Sequence, residues 1–144
     1  MMTTSMEIKS GNACFVDSSV FYEWMDQSSV YSESILNFLH HKPTPLLTSN
    51  FIIAETTSLL TKRLGKKIGT FFLREIFNSK IVEIIRISQA QEEQAMRDYF
   101  KYQDKDFDLI DATSFVLCKE KGVREVLTLD KHFKQMGFKT IPTF

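Results

Sequence analysis

Short, wholly apolar runs alternate along this chain with longer stretches of helical periodicity. Residues 13–17 form an apolar run closed by Asp17. With no polar alternation, it predicts a strand buried on both faces, as central parallel strands are. A helix is predicted over 18–25, capped by Ser18 or Ser19, and another over 31–41, with Ile35, Phe38 and Leu39 on one face. Residues 41–45 predict a turn, because each proline disfavours helix before it. A second strand follows at 46–48, then a long helix capped by Ser49 or Asn50 and ended by Gly65. Residues 67–78 predict a helix with Ile68, Phe71, Phe72 and Ile76 inward. The β-branched run 81–87 is a third strand, and Ser88 caps a helix over 89–102. After a polar loop, Asp108 caps a helix to Lys121 that Gly122 terminates. A fourth strand at 125–129, a short helix at 132–136 and a fifth strand at 139–141 complete the pattern.

Strands separated by helices imply a parallel sheet with right-handed crossovers. The expected fold class is α/β: a three-layer α/β/α domain over residues 13–144, with a central parallel sheet of four to five strands. Residues 1–12 are expected to be a flexible polar lead-in.

Four carboxylates hold similar places in this pattern. Asp17 closes the first strand, and Glu55 lies one turn into the helix after the second. Asp111 opens an apolar helix, and Asp130 closes the fourth strand run. In a parallel sheet such positions converge at the carboxyl edge. Four acids gathered there repel one another unless a hard cation holds them, which points to metal-assisted phosphodiester hydrolysis. Each acid also has a plainer reading. Asp17 and Asp130 can cap the helices that follow them, and Glu55 can be a solvated residue at the margin of its apolar stripe. Asp108 and Asp111 can form an Asp-x-x-Asp capping box, which accounts better for Asp108 than for Asp111. Thr128, two residues before Asp130, can support a carboxylate or a water beside it.

Composition narrows the alternatives. The 144 residues are the usual size of one domain, and 43% hydrophobic with 25% charged residues excludes both disorder and a membrane-embedded chain. No apolar run approaches the roughly 20 residues needed to span a bilayer, and the first ten residues lack the apolar core of a signal peptide. A cytoplasmic location is expected, with Cys14 and Cys118 as reduced core residues. The net charge of +0 hides an uneven distribution. Seven bases and two acids lie between Lys62 and Arg86, against seven acids and three bases between Glu92 and Asp111. A basic surface beside an acidic pocket is one reading, and two unequally charged solvated helices the other. The two scattered cysteines with His40, His41 and His132 fit no usual zinc spacing. Phosphate-loop and dinucleotide glycine motifs are absent. Tyr22, Trp24 and Tyr31 suit core or dimer packing, or a groove for a partner helix.

Order and spacing of the four acids resemble the PIN-domain nucleases, most closely the small stand-alone VapC-like toxins. The resemblance rests on Phe15, Val16, Asp17, Ser18 and Ser19; on Ser49 to Glu55; on Phe107, Asp108 and Asp111 to Phe115; and on Val126 to Phe133. It covers residues 13–142. The position of Asp108 is often Ser in relatives, which leaves Asp108 as a cap or as an extra acid beside the site. The resemblance implies a Mg²⁺- or Mn²⁺-dependent endoribonuclease, commonly a homodimer, often with an antitoxin partner encoded beside it. In this reading Asp17, Asp111, Asp130 and Glu55 hold the metal and do the catalysis, supported by Thr128, Asp108 and Ser18. Lys62, Arg63, Lys66 and Lys67 are candidates for steering the RNA backbone. The rival readings are a catalytically weak RNA-binding or assembly module of the same fold, and a small-molecule phosphohydrolase. Ser19 stands where aspartyl phosphatases usually carry a second Asp, which counts against the latter.

Overall fold

The computed structural model describes residues 13–41 and 45–141. Five parallel strands, β1 (Cys14–Val16), β2 (Leu46–Ser49), β3 (Val82–Ile85), β4 (Glu125–Leu127) and β5 (Lys139–Ile141), form one sheet in the order β3-β2-β1-β4-β5. Seven helices connect them: α1 (Ser18–Met25), α2 (Ser32–His41), α3 (Asn50–Leu64), α4 (Lys66–Asn78), α5 (Gln89–Lys101), α6 (Leu109–Lys121) and α7 (Lys131–Gln135). Helices α1 to α4 pack on one another, and α5, α6 and α7 form a second group. The expected three-layer α/β architecture is therefore present, with all five strands.

Strand order fixes where a crevice can form. The chain builds outward from β1 through β2 to β3, then returns to place β4 on the other side of β1. The direction of winding reverses at β1, and such a switch point leaves a crevice beyond the strand's carboxyl end. The register sets Phe15 between Leu47 and Val126, so β1 is central, and every residue of β1 and β2 is buried.

Local signals set most boundaries as expected. Ser49 Oγ accepts from the Ile52 N–H at the start of α3. Ser88 and Gln91 form a reciprocal capping box on α5, and Gly122 ends α6 in the left-handed conformation, at φ 69°. Three expectations need correction. Neither Ser18 nor Ser19 caps α1: both lie inside the helix, and Asp17 holds the N-cap position without a side-chain cap bond. Phe71 does not face inward. The buried side of α4 runs through Gly69, Phe72 and Ile76, and Phe71 is 54% exposed on the flank of that stripe. The fourth strand stops at Leu127, so Thr128 lies just beyond it. The predicted turn at 41–45 falls mostly, and the lead-in 1–12 wholly, outside the described residues, as do the side chains of Phe38, Leu39, His40 and His41.

Cys14 and Cys118 are both buried in the core. A cluster of aromatic rings, among them Phe15, Phe115, Phe133 and Phe138, closes the core between the sheet and α6–α7. It anchors the start of α7, where Asp130 is. No helix among the described residues is long and apolar enough to cross a membrane.

Candidate active site

Asp17 leaves the end of β1 into the crevice and is only 3% exposed. Its Oδ2 accepts from Thr128 Oγ at 2.8 Å and from Ser19 Oγ at 2.9 Å. Thr128 Oγ accepts in turn from the Asp130 N–H at 2.9 Å, and Ser19 Oγ accepts from the Leu129 N–H at 3.0 Å. The first turn of α1 and the loop after β4 are thus tied through one buried carboxylate. Burial pushes the Asp17 carboxyl above its ordinary range, although the hydroxyl donors oppose that.

Glu55, from α3, reaches the same crevice. Ser18 Oγ donates to its Oε2 at 2.5 Å. Burial raises its pKa, and the charges of Asp108, Asp17 and Asp130 raise it further. Ser18 therefore contacts Glu55, although its side chain caps no helix.

Asp111 opens α6 and forms a full reciprocal box with Asp108. Asp108 Oδ1 accepts from the Asp111 N–H at 2.8 Å, and Asp111 Oδ2 accepts from the Asp108 N–H at 3.1 Å. The box engages Asp111 as fully as Asp108, contrary to the sequence-based expectation, because the short Asp side chain still reaches the N-cap amide. Asp108 itself is exposed and serves as this cap. Burial, followed by the charge of Asp108, pushes the Asp111 carboxyl up to about 8. Asp130 caps α7 by accepting from the His132 N–H at 3.0 Å. Capping and clustering are not exclusive. Both helices start at the sheet edge, so their capping acids line the crevice, and Asp17, Glu55 and Asp111 each feel the charge of Asp130.

One participant was not legible in advance. His132, set aside because it fits no zinc spacing, lies among the acids. Its Nδ1 is 2.6 Å from Asp130 Oδ1 and 3.7 Å from Asp111 Oδ2, while Nε2 is 2.6 Å from Asp106 Oδ1. Burial alone lowers the pKa of this ring, but the bond to Asp106 and the charges of Asp130, Asp111 and Asp106 outweigh it and raise the net value. The available signal was its place two residues after Asp130, at the start of a helix capped by that acid. Ser19 was likewise given no supporting role at the site, yet it bridges Asp17 and the Thr128–Leu129 segment.

The donor set suits a hard divalent cation. It comprises several carboxylates, some almost fully buried, with mutual repulsion and few fixed positive charges nearby.

The family model for the PIN domain matches residues 14–139. The chain belongs to the PIN-domain family. Among PIN-domain proteins it is similar to the 23S rRNA-specific endonuclease VapC20 of Mycobacterium tuberculosis, with 30% identity over 97 residues, which are 67% of this chain and 73% of the relative. The crystal structure of that protein, described as a Sarcin-Ricin loop cleaving toxin, superposes with a TM-score of 0.81 at 26% identity, covering 87% of this chain and 95% of the other. Ribonuclease VapC1 of Aquifex aeolicus is 32% identical over 133 residues, 90% of this chain and 89% of the relative. VapBC2 from Rickettsia felis, solved bound to a DNA fragment from its promoter, shares the fold at 14% identity with a TM-score of 0.66, covering 90% of this chain and 97% of that one. This PIN domain thus groups with VapC-like ribonucleases, and RNA cleavage is the activity for which those relatives are named.

Lys62, Arg63, Lys66 and Lys67 are exposed where α3 passes into α4. At 1.5 Å rise per residue, that end of α3 lies about 10–15 Å from Glu55. The Arg63 guanidinium rests over the Tyr22 ring, 5.5 Å from its centroid.

Proposed function

We propose that this PIN-domain protein is a divalent-metal-dependent endoribonuclease, with residues 13–144 as the nuclease unit and Asp17, Glu55, Asp111 and Asp130 as its catalytic and metal-holding acids. The convergence of these four side chains at the carboxyl end of β1, with Asp17 buried at its base, carries the reading. Mg²⁺ or Mn²⁺ is the ion such oxygen donors suit. When bound, the ion supplies Lewis acidity toward an attacking water and toward the phosphate. Thr128 and Ser19 hold Asp17 by its Oδ2 and so fix how the carboxylate faces the crevice. Ser18 orients Glu55, and Asp108 fixes the rotation of Asp111. Lys62, Arg63, Lys66 and Lys67 steer the RNA backbone toward the acids through phosphate contacts.

The similarity to a 23S rRNA-specific endonuclease supports a structured RNA loop as substrate. The VapBC assembly among the proteins of like fold supports a toxin role with an antitoxin partner. Exposed Phe77, Ile81 and Phe100, each more than half accessible, support apolar contacts with an antitoxin or with a second copy in a homodimer. A cytoplasmic location goes with this role. Purified protein incubated with ribosomal RNA in Mg²⁺, Mn²⁺ or EDTA tests the activity. Metal-dependent cuts at discrete positions are expected, and no cleavage in either ion overturns the reading.

A further inference from the structure

We propose that His132 is a nitrogen ligand in this metal site, bound through Nδ1 beside Asp111 and Asp130, and that it biases the site toward first-row transition ions over Mg²⁺. The inference rests on the acid site being a metal site, as proposed above, and adds which donors define one side of it. Asp111, Asp130 and His132 each offer one donor atom, and these atoms all lie within 4.8 Å of one another. Nδ1 is 2.6 Å from Asp130 Oδ1 and 3.7 Å from Asp111 Oδ2, separations that two donors bound to one ion at about 2.0–2.2 Å can have. The ring is held as ligating imidazoles are held. A histidine on a metal usually gives its other ring nitrogen to a carboxylate, which sets the tautomer and the ring plane. Here that carboxylate is Asp106, 2.6 Å from Nε2. With the proton on Nε2, the lone pair of Nδ1 faces the two carboxylates.

Nδ1 is also left without a proper partner. It is buried and makes no hydrogen bond. Its 2.6 Å approach to Asp130 Oδ1 lacks hydrogen-bond geometry, and Asp111 Oδ2 is 3.7 Å away. On the neutral ring a nitrogen lone pair is pressed against two carboxylate oxygens, a repulsion that either a proton on Nδ1 or a bound cation removes, so the two compete for this position. Anchoring Asp106 in the loop before α6 and His132 in α7 also links the segments that carry Asp111 and Asp130.

The donor chemistry gives the selectivity. Mg²⁺ takes oxygen donors and keeps several waters. Imidazole nitrogen strengthens binding of first-row ions, and a site with two carboxylates and one imidazole is better matched to Mn²⁺ and its neighbours. The test uses full-length, tag-free protein, with titration calorimetry for Mn²⁺ and Mg²⁺ and pulsed EPR of bound Mn²⁺. Wild type is expected to show ¹⁴N coupling to Mn²⁺. His132→Gln should lose that coupling and lose more than about tenfold in Mn²⁺ affinity, with Mg²⁺ affinity changed less than about threefold. Asp106→Ala leaves all three donors in place, so its expected result is retained ¹⁴N coupling with Mn²⁺ affinity lowered about tenfold. Melting curves in EDTA establish that each variant is folded. Mn²⁺ bound by wild type without ¹⁴N coupling, or with unchanged affinity in His132→Gln, overturns the inference and leaves the acid site standing. Absence of Mn²⁺ and Mg²⁺ binding by wild type overturns the metal-site reading together with it.

Discussion

The two sides of the crevice handle their negative charge differently. On the β1 side, Asp17 is almost fully buried and is held by neutral hydroxyls from Ser19 and Thr128. On the α6–α7 side, Asp111 and Asp130 take part in helix caps and have a histidine against them. Hydroxyl donors orient a carboxylate without neutralising it, so the charge of Asp17 stays uncompensated by any of its hydrogen-bond partners. The α6–α7 side carries a ring that can hold a proton, and its acids are stabilised in part as caps. The acid on one side caps no helix through its side chain, while both acids on the other side are tied into helix starts.

The sharpest way to break this contrast is Asp17→Asn. The amide keeps the size and can still accept from Thr128 and Ser19, so the fold should survive. Cleavage should fall by about a thousandfold, since roughly 4 kcal/mol of metal-dependent stabilisation is lost. Near-normal cleavage by the folded variant, measured on ribosomal RNA with Mn²⁺, removes Asp17 from the site.

On the other side, Asp111→Asn keeps an oxygen for the Asp108 N–H, Asp130→Asn keeps a good N-cap residue, and each loses one like charge. In EDTA their melting temperatures should equal or exceed that of wild type. At about 100 times the dissociation constant, Mn²⁺ should stabilise wild type by about 2.7 kcal/mol and the variants by less. If both variants melt well below wild type in EDTA, these acids serve the helices alone.

Proton linkage probes the two sides together. The carboxyls of Asp17, Glu55 and Asp111 all titrate above their ordinary values, chiefly through burial. The unfolded chain therefore releases these protons first as pH rises. The folded state binds more protons over that interval, so stability falls with rising pH. The raised His132 value acts in the same direction. Metal-free protein should lose stability from these groups between about pH 4 and pH 8, the upper end set by Asp111 at about 8. Stabilisation by Mn²⁺ should grow over the same interval, because ligands must be deprotonated. Melting temperature against pH, with and without EDTA, reads both trends. A flat metal-free curve means that the acids are better solvated than their burial implies.

The smallest effect is a control remote from both sides. Changing Lys62, Arg63, Lys66 and Lys67 to Ala should weaken RNA binding and flatten its dependence on salt. The slope should drop by roughly 0.7–0.9 for each phosphate no longer neutralised. Turnover at saturating RNA should change little. An unchanged slope moves the RNA path toward Arg74, Lys80 and Arg86, which are also exposed.

Much of this molecule could be read from local chemistry. Apolar runs too short for helices marked β1 and β2. Ser49, Ser88 and Asp108 marked helix starts, and Gly65 and Gly122 marked helix ends, because caps act within one turn. The four acids were visible because each closes an apolar run or stands near a helix start. The reading failed where a residue's environment depends on more than periodicity. Phe71 matches the helical pattern but lies on the open flank of α4. Ser18 and Ser19 have the chemistry of caps, yet the chain enters α1 one residue earlier and turns their hydroxyls to Glu55 and Asp17.

The amino-acid order alone determined the elements, most of their boundaries and the presence of an acid at each critical end, because these depend on neighbours a few residues apart. Tertiary structure decided which acids meet and what holds them. Asp17 meets Thr128 across 111 positions, Ser18 meets Glu55 across 37, and His132 meets Asp106 across 26. Those pairings depend on β1 lying between β2 and β4 in a specific register. Strand order is set by the packing of the whole core, and no short-range pattern encodes it.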